Sequence, residues 1–423
     1  MKNIILIHKV RYFHKLEKQM IQSFIDKNKK HLFIERLIYL IPFAIIAGQA
    51  PLNLISSAVS VIFLILTFKR KIYNEYKNYF IFLYFLIFFL IINLIFSINP
   101  YVSAQSSLSL IRYYFFFLAI LYSLNNIDNF RLIFTRMLFV AVLFVIIDSY
   151  IQYFFNKDIF GYPSLNNRLT GPFGSEKVVG AYISKLIFLS FSFLIIKKIN
   201  IRYIFLISII ALILTILSNE RSSSIMFVAS LLLFFIFCQV KTFFKIGIFS
   251  FAAMIVILLF NYNNQIKERF INEPIKYYKD NHHKAHFLTA IEIFKDNKIT
   301  GSGIKTFRVV CHNKKYENIN SIYYKNRCTT HPHNLYLEII SETGILGILL
   351  FISINFYIIF QLVKNYLIIK KFRNEILFIF CNFFILFWPL QTTGSFFSSW
   401  NGVFYWIFFA FFFNLKKRLA EPI

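Results

Sequence analysis

Apolar residues in this chain come in long unbroken runs, not in the strict alternation of a half-buried strand or the narrow stripe of an amphipathic helix. Runs of about 17–25 residues match the hydrocarbon thickness of a bilayer at helical rise. Twelve runs predict membrane helices: 33–48, 52–68, 79–98, 105–124, 132–154, 178–196, 203–218, 223–239, 243–260, 335–363, 376–393 and 400–414. The first is the shortest. A long polar segment, 261–332, separates the ninth from the tenth. The expectation is an all-α polytopic membrane protein with about 12 transmembrane helices. Its parts are an N-terminal segment 1–32, helices one to nine over 33–260, the segment 261–332, helices ten to twelve over 333–415, and a tail 416–423.

Charge orients the runs. Residues 1–32, "FKRKIYNEYK" (68–77), "KKINIR" (197–202), "KNYLIIKKFR" (364–373) and "KKR" (416–418) are rich in Lys and Arg. The intervening loops "AGQAPLN" (47–53), "SINPYVSAQS" (97–106) and "TTGSFFSSW" (392–400) carry none. Positive loops stay in the cytoplasm, so both termini are expected there. No cleavable leader is apparent, because the apolar run in "MKNIILIHKVRYFHK" is too short. The outer loop 155–177 holds Arg168 and Lys177, and 261–332 holds 13 Lys/Arg against 6 Asp/Glu. Long loops escape the charge rule, so this basic segment is compatible with an outer, periplasmic position. Within it "HFLTAIEIFKD" (286–296) has helical spacing, followed by the turn "NKITGSG".

Composition agrees with lipid as the solvent: 58% of residues are hydrophobic and 15% charged. The net charge of +27 raises the question of nucleic acid. No basic segment carries a nucleic-acid-binding signature, and cytoplasmic loop charge accounts for the excess. Cys311 and Cys328 both fall in the outer segment, where an oxidising compartment would permit a disulfide. The absence of CxxC spacing argues against a zinc site.

Ionisable residues within spans are costly and usually functional. At helical rise Arg112 lies about 10 Å and Lys185 roughly 12 Å below the outer surface. Asp148, Glu220, Arg221, His333, Glu338 and Glu342 fall toward the same side. Structural pairings such as Arg112 with Asp148, or Lys185 with Glu176 or a helix end, would also account for single members. Taken together, cations in an outward-facing cavity suit an anionic ligand arriving from the membrane.

The stretch "HPHNLYLEIISETGILGILLF" (331–351) opens the tenth run with titratable groups. Pro332 places a helix start near His333 or Asn334. On a continuous helix Leu337, Gly344 and Gly347 share a face with His333, and the small residues would admit a neighbouring helix. Glu338 and Glu342 face elsewhere, toward the basic outer segment. A neutral histidine here can serve as a general base toward a sugar hydroxyl.

His333, Asn334, Gly344 and Gly347 together resemble the signature of the O-antigen ligase and polymerase superfamily. "IFKDNKITGSGIKTF" (293–307), with Gly301 and Gly303, looks like that family's segment before the histidine. "SNERSSS" (218–224) resembles its Arg-Ser motif, and "RLTGPFGSEKVVGAY" (168–182) the opening of helix six. The resemblance covers roughly 165–350. It implies glycan transfer from undecaprenyl diphosphate, without cofactor or metal, to an acceptor such as the lipid A core or a growing glycan, at the outer face of a bacterial inner membrane. It further implies that His333 acts as or positions the base and that Arg221 holds the diphosphate, with Arg168, Arg112, Lys185 and Lys284 as further candidates. A second family arginine usually precedes the segment matching 287–307. This chain has "DNHHKAHF" (280–287) there, with His283, Lys284 and His286, leaving Arg168, Arg269 or Lys284 to substitute. Ligase and polymerase share these motifs. A transporter is the different-class alternative, but the chain lacks the internal repeats expected of one.

Overall fold

The computed structural model describes residues 33–70, 72–277 and 279–420. The basic stretch 1–32, read above as a cytoplasmic segment, lies outside these described residues. Helices cover every apolar run. They are α1 (33–47), α2 (Gln49–Arg70), α3 (Lys77–Ile95), α4 (Pro100–Asn126), α5 (Phe130–Phe155), α6 (Val179–Ile196), α7 (Ile201–Leu217), α8 (Arg221–Phe237) and α9 (Thr242–Tyr262). After the outer helix α10 (His282–Asp296) come α11 (Leu335–Ile368), α12 (Arg373–Phe387) and α13 (Ser399–Ala420). Seven of these, α2 to α6 with α9 and α11, are long and apolar enough to cross a membrane, and α7 and α8 are shorter apolar helices. The chain is an all-helical, polytopic membrane protein.

Burial sorts the helices. In α6, 72% of the apolar window is buried against other helices; in α9 none is. α6 packs along α5 and α12, and α4 along α13 and α2. The aromatic excess is used here: Phe188 of α6 meets Phe227 and Phe234 of α8 and Phe378 of α12, with ring centroids 6.0 to 6.4 Å apart. α9 instead presents Phe243, Ile246 and Ile257 outward, which lipid tolerates as well as a protein core does.

The outer segment has a small core of its own. Ala290 and Ile293 of α10 pack with Phe307, Val310, Cys311 and Tyr316, and Leu337 of α11 leans against them. Each large apolar side chain buried here is worth about 1.5–3 kcal/mol. Cys311 and Cys328 are joined in a disulfide, their Cα atoms 5.3 Å apart. Asn281 starts α10 by accepting from the Lys284 amide at 3.0 Å, an N-cap of the usual kind.

The tenth run departs from the sequence reading. α11 is one helix by extent, but Gly344 has φ 66 and ψ −163 and breaks it. The break is filled by the outer segment rather than by a neighbouring helix. Ser302 and Gly303 donate their amides to the carbonyls of Ser341 (2.9 Å) and Glu342 (3.0 Å), and the Ile345 amide reaches the Lys298 carbonyl at 2.8 Å. A Cβ on Gly344 would lie 2.3 Å from the Ile299 carbonyl oxygen, and one on Gly301 2.3 Å from the Thr343 nitrogen. Both glycines have positive φ, so conformation and closeness both require them. Buried Asn93 of α3 finishes the joint, donating to the carbonyls of Thr300 (2.7 Å) and Glu342 (3.0 Å) and accepting from the Ile304 amide (3.1 Å).

Candidate functional site

His333 stands one residue before the N-cap of α11, in a left-handed conformation with φ 56. It is therefore not on the helical face shared by Leu337, Gly344 and Gly347. The helix begins with Asn334, whose side chain accepts from the amides of Tyr336 and Leu337, each at 3.0 Å. Its amide nitrogen donates to the Pro389 carbonyl (2.7 Å) and the Gln391 carbonyl (3.2 Å). The loop preceding α13 completes the mount: the Thr393 amide donates to the His333 carbonyl at 2.9 Å, and the His331 ring Nε2 lies 3.1 Å from the Thr393 carbonyl. Backbone on both sides of His333 is thus pinned, which is what sustains a strained φ at a non-glycine residue.

Four imidazoles gather there. The His333 ring centroid lies 4.2 Å from that of His331 and 5.3 Å from those of His283 and His286 on α10. Its Nε2 is 3.5 Å from the Thr329 hydroxyl. Burial, followed by the neighbouring rings of His331, His283 and His286, pushes His333 down to about 3. Burial likewise pushes His331 and His286 down to about 4. The cluster is neutral at pH 7, and His333 carries a free imidazole lone pair there.

Beside His283 stand the guanidiniums of Arg221 and Arg269, with Arg168 next to them. Arg221 opens α8, and its Nη1 lies 3.7 Å from the Glu273 carboxylate, which Arg269 also engages. Arg168 reaches the Lys177 carbonyl at 3.3 Å, and its buried Nε has no partner among the described residues. Arg168, Arg221 and Arg269 lie within one another's fields, and Arg221 and Arg269 act on His283, holding it below the usual imidazole value together with burial as the main cause. Of the two nearby carboxylates Glu220 is already taken. It accepts from the amides of Gly180 (2.7 Å) and Ala181 (3.1 Å) at the start of α6 and from the Ser223 hydroxyl (3.3 Å). The motif "SNERSSS" is therefore a junction. Asn219 ends α7 with φ 56, Glu220 caps α6, Arg221 faces the cluster, and the Ser222 hydroxyl donates to the Thr392 carbonyl at 2.9 Å. The same loop that mounts His333 thereby holds the start of the Arg221 helix.

Residues 206–352, the stretch that supplies Arg221, Arg269 and the four histidines, match the family model described as O-antigen ligase. This stretch is similar to the O-antigen ligase family. No curated protein matches the chain. The likeness is to a family of multi-pass membrane enzymes of the ligase or polymerase type. The segment "RLTGPFGSEKVVGAY" lies outside the matched range, although Arg168 within it lies in the fields of Arg221 and Arg269. It is held by Gln152 of α5, whose side chain accepts from the amides of Thr170 and Gly171, each at 2.9 Å.

Other candidates fall elsewhere. Lys284 is turned away from Arg168, Arg221 and Arg269, 3.9 Å from Asp280 and 3.1 Å from the Lys279 carbonyl. Arg269 takes the place beside Arg221. Arg112 does not meet Asp148; it donates to Ser57 (3.0 Å), Asn53 (3.1 Å) and Ser109 (3.1 Å). Asp148 instead accepts from the Ile159 amide at 3.0 Å. Lys185 meets Asn401 at 2.8 Å rather than Glu176, with its ammonium over the Phe404 ring. Arg112 and Lys185 thus hold the start of α13. Glu342 accepts from the amides of Lys305 (2.5 Å) and Phe307 (3.1 Å), and Glu338 from Phe396 (2.7 Å) and the Ser395 hydroxyl. The two carboxylates anchor the two loops that border His333. Gly303 and Gly347 are tight as well: a Cβ on either would collide with Ser97 or Thr343. His331, Asn93 and Gln152 had no distinguishing signal beyond being polar residues in or beside apolar runs.

Proposed function

We propose that this enzyme transfers a glycan from undecaprenyl diphosphate to a hydroxyl of the lipid A core at the periplasmic face of a bacterial inner membrane, with twelve crossings and both termini in the cytoplasm. The observation that carries the reading is the adjacency of a neutral, rigidly mounted His333 to an arginine group with an unpartnered buried donor. Arg221, Arg168 and Arg269 hold the diphosphate, and His333 takes the proton of the acceptor hydroxyl as its oxygen bonds to the anomeric carbon. The anomeric C–O bond to phosphate breaks, and undecaprenyl diphosphate leaves with the electron pair. The guanidiniums stabilise the charge that grows on the leaving group. No metal ion is needed for that step, because the three arginines supply the positive charge. In this reading the bound diphosphate also brings negative charge to the histidine cluster, which raises His333 toward the range useful for a base. The Cys311–Cys328 disulfide supports an oxidising compartment for the outer segment.

The test is a deletion strain complemented with wild type or His333→Ala, with glycan measured on lipopolysaccharide and on undecaprenyl diphosphate. Long chains accumulating on undecaprenyl diphosphate over a bare core identify the ligase reaction. A core bearing a single repeat unit identifies the polymerase. Unchanged pools would sink both readings.

A further inference from the structure

The loop after the GxG turn brings two more cations to the histidine cluster, beside His331 rather than beside His283. Arg308 Nη2 donates to the carbonyl of Thr330 at 3.3 Å, while its buried Nε has no partner among the described residues. Lys305 is held at φ 62, a conformation that L side chains rarely adopt. Its amide is fixed on Glu342, and among the described residues its half-buried ammonium makes no hydrogen bond or ion pair. The carboxylates in its field, Glu338 and Glu342, have each oxygen already engaged by an amide or a hydroxyl. Burial and the nearby Arg308 hold the Lys305 ammonium below the usual lysine value. Two donors are therefore kept close together, desolvated and incompletely used, on a loop whose backbone is locked from below.

Their position decides whose ligand they take. The arginines suited to the leaving diphosphate border His283, whereas Lys305 and Arg308 border His331, and His333 touches both rings. We propose that Lys305 and Arg308 form an acceptor-side anion subsite, which binds a phosphate or carboxylate carried by the acceptor glycan near the hydroxyl that is glycosylated. This subsite rests on the glycan-transfer reading above.

The test uses the full-length enzyme in lipid nanodiscs with a lipid-linked glycan donor. The acceptor glycolipid is supplied intact, phosphatase-treated, carboxyl-reduced, or treated both ways. Lys305→Gln with Arg308→Gln should raise the acceptor KM roughly 10-fold or more, the scale of losing a hydrogen bond to a charged group. Donor KM and the thermal midpoint should stay in place, and Lys305→Arg with Arg308→Lys should restore the acceptor KM. One of the two treatments should raise the wild-type KM equally and erase the difference between wild type and the double variant. Phosphatase sensitivity identifies phosphate, and sensitivity to reduction identifies carboxylate. A difference that persists on acceptor treated both ways, or a shift in donor KM alone, overturns the subsite. A wild type that transfers nothing, and is matched by His333→Ala, overturns the glycan-transfer reading and the subsite with it.

Discussion

Two ion clusters built from the same residue types sit at the two ends of the helix bundle. Arg131 at the start of α5 and Arg418 near the end of α13 both grip Glu375 of α12, Arg418 at 2.7 Å. The far end of α5 holds the loop that carries Arg168, beside Arg221 and Arg269. In the first cluster one carboxylate satisfies two guanidiniums. In the second, Arg221 and Arg269 share Glu273, Arg168 lies in the field of a Glu220 already committed to backbone amides, and among the described residues the Arg168 Nε has no partner. Buried ion pairs are weak evidence of stability, but breaking one is expensive. The contrast therefore lies in what is left over. A closed triad pins three helices, and the open group keeps a donor that the proposed diphosphate would use.

Substitutions can break this contrast. His333→Ala should lower transfer by roughly 10²–10⁴-fold with an unchanged thermal midpoint, and a variant of near wild-type rate would remove the base from the mechanism. Glu375→Ala should destabilise the protein by about 3–5 kcal/mol, because it leaves two guanidiniums facing each other. Thermal unfolding in detergent reads this loss, and the molecules that remain folded should transfer normally. Arg221→Ala should do the reverse, slowing transfer by about 10²–10³-fold with little loss of stability. A smaller effect is expected on the pH profile. An ordinary imidazole loses its basic form below about 6.5. His333, surrounded by His331, His283 and His286, is held lower, so the acid limb of kcat/KM, which reports the free enzyme, should fall below pH 5. The limb of kcat should lie higher, because the bound diphosphate raises the base. Stability should fall on the acid side as well. Below about 6.5 the unfolded chain binds more protons than the folded one, so unfolding becomes easier as pH falls toward 4. Lys284→Gln, outside the arginine group, should change stability by no more than about 0.5 kcal/mol and leave the donor KM in place.

Much of this was legible in the sequence, for a physical reason. Membrane helices announce themselves by uninterrupted hydrocarbon, and a helix covers each of the twelve runs. The glycines at 301, 303, 344 and 347 were legible as a motif but not as a mechanism. Helical periodicity assumes regular φ and ψ, and Gly344 breaks that assumption, so the face shared with His333 does not exist. The arginine group was half legible. Arg221 follows from its motif, but the choice between Arg269 and Lys284 depends on which side of a helix start each one leaves. His283, His286 and His331 converge on His333 from α10 and the loop before α11, and no spacing in one dimension encodes that. Lys305 and Arg308 are two of 13 cations in the outer segment, and only the occupied oxygens of Glu342 and Glu338 set them apart.

The break at Gly344 bears on the order in which the protein can be made. Most membrane helices enter the bilayer with their backbone groups already satisfied, and they assemble afterwards. α11 cannot do so alone, because the groups freed at residues 341–346 find their partners at 298–303. Those partners precede α11 in the chain, so they have left the ribosome before the helix that needs them. The outer segment then acts as a splint for a membrane helix as well as a wall of the site, and changes in its length should be tolerated near 317–320 and rejected between 298 and 307.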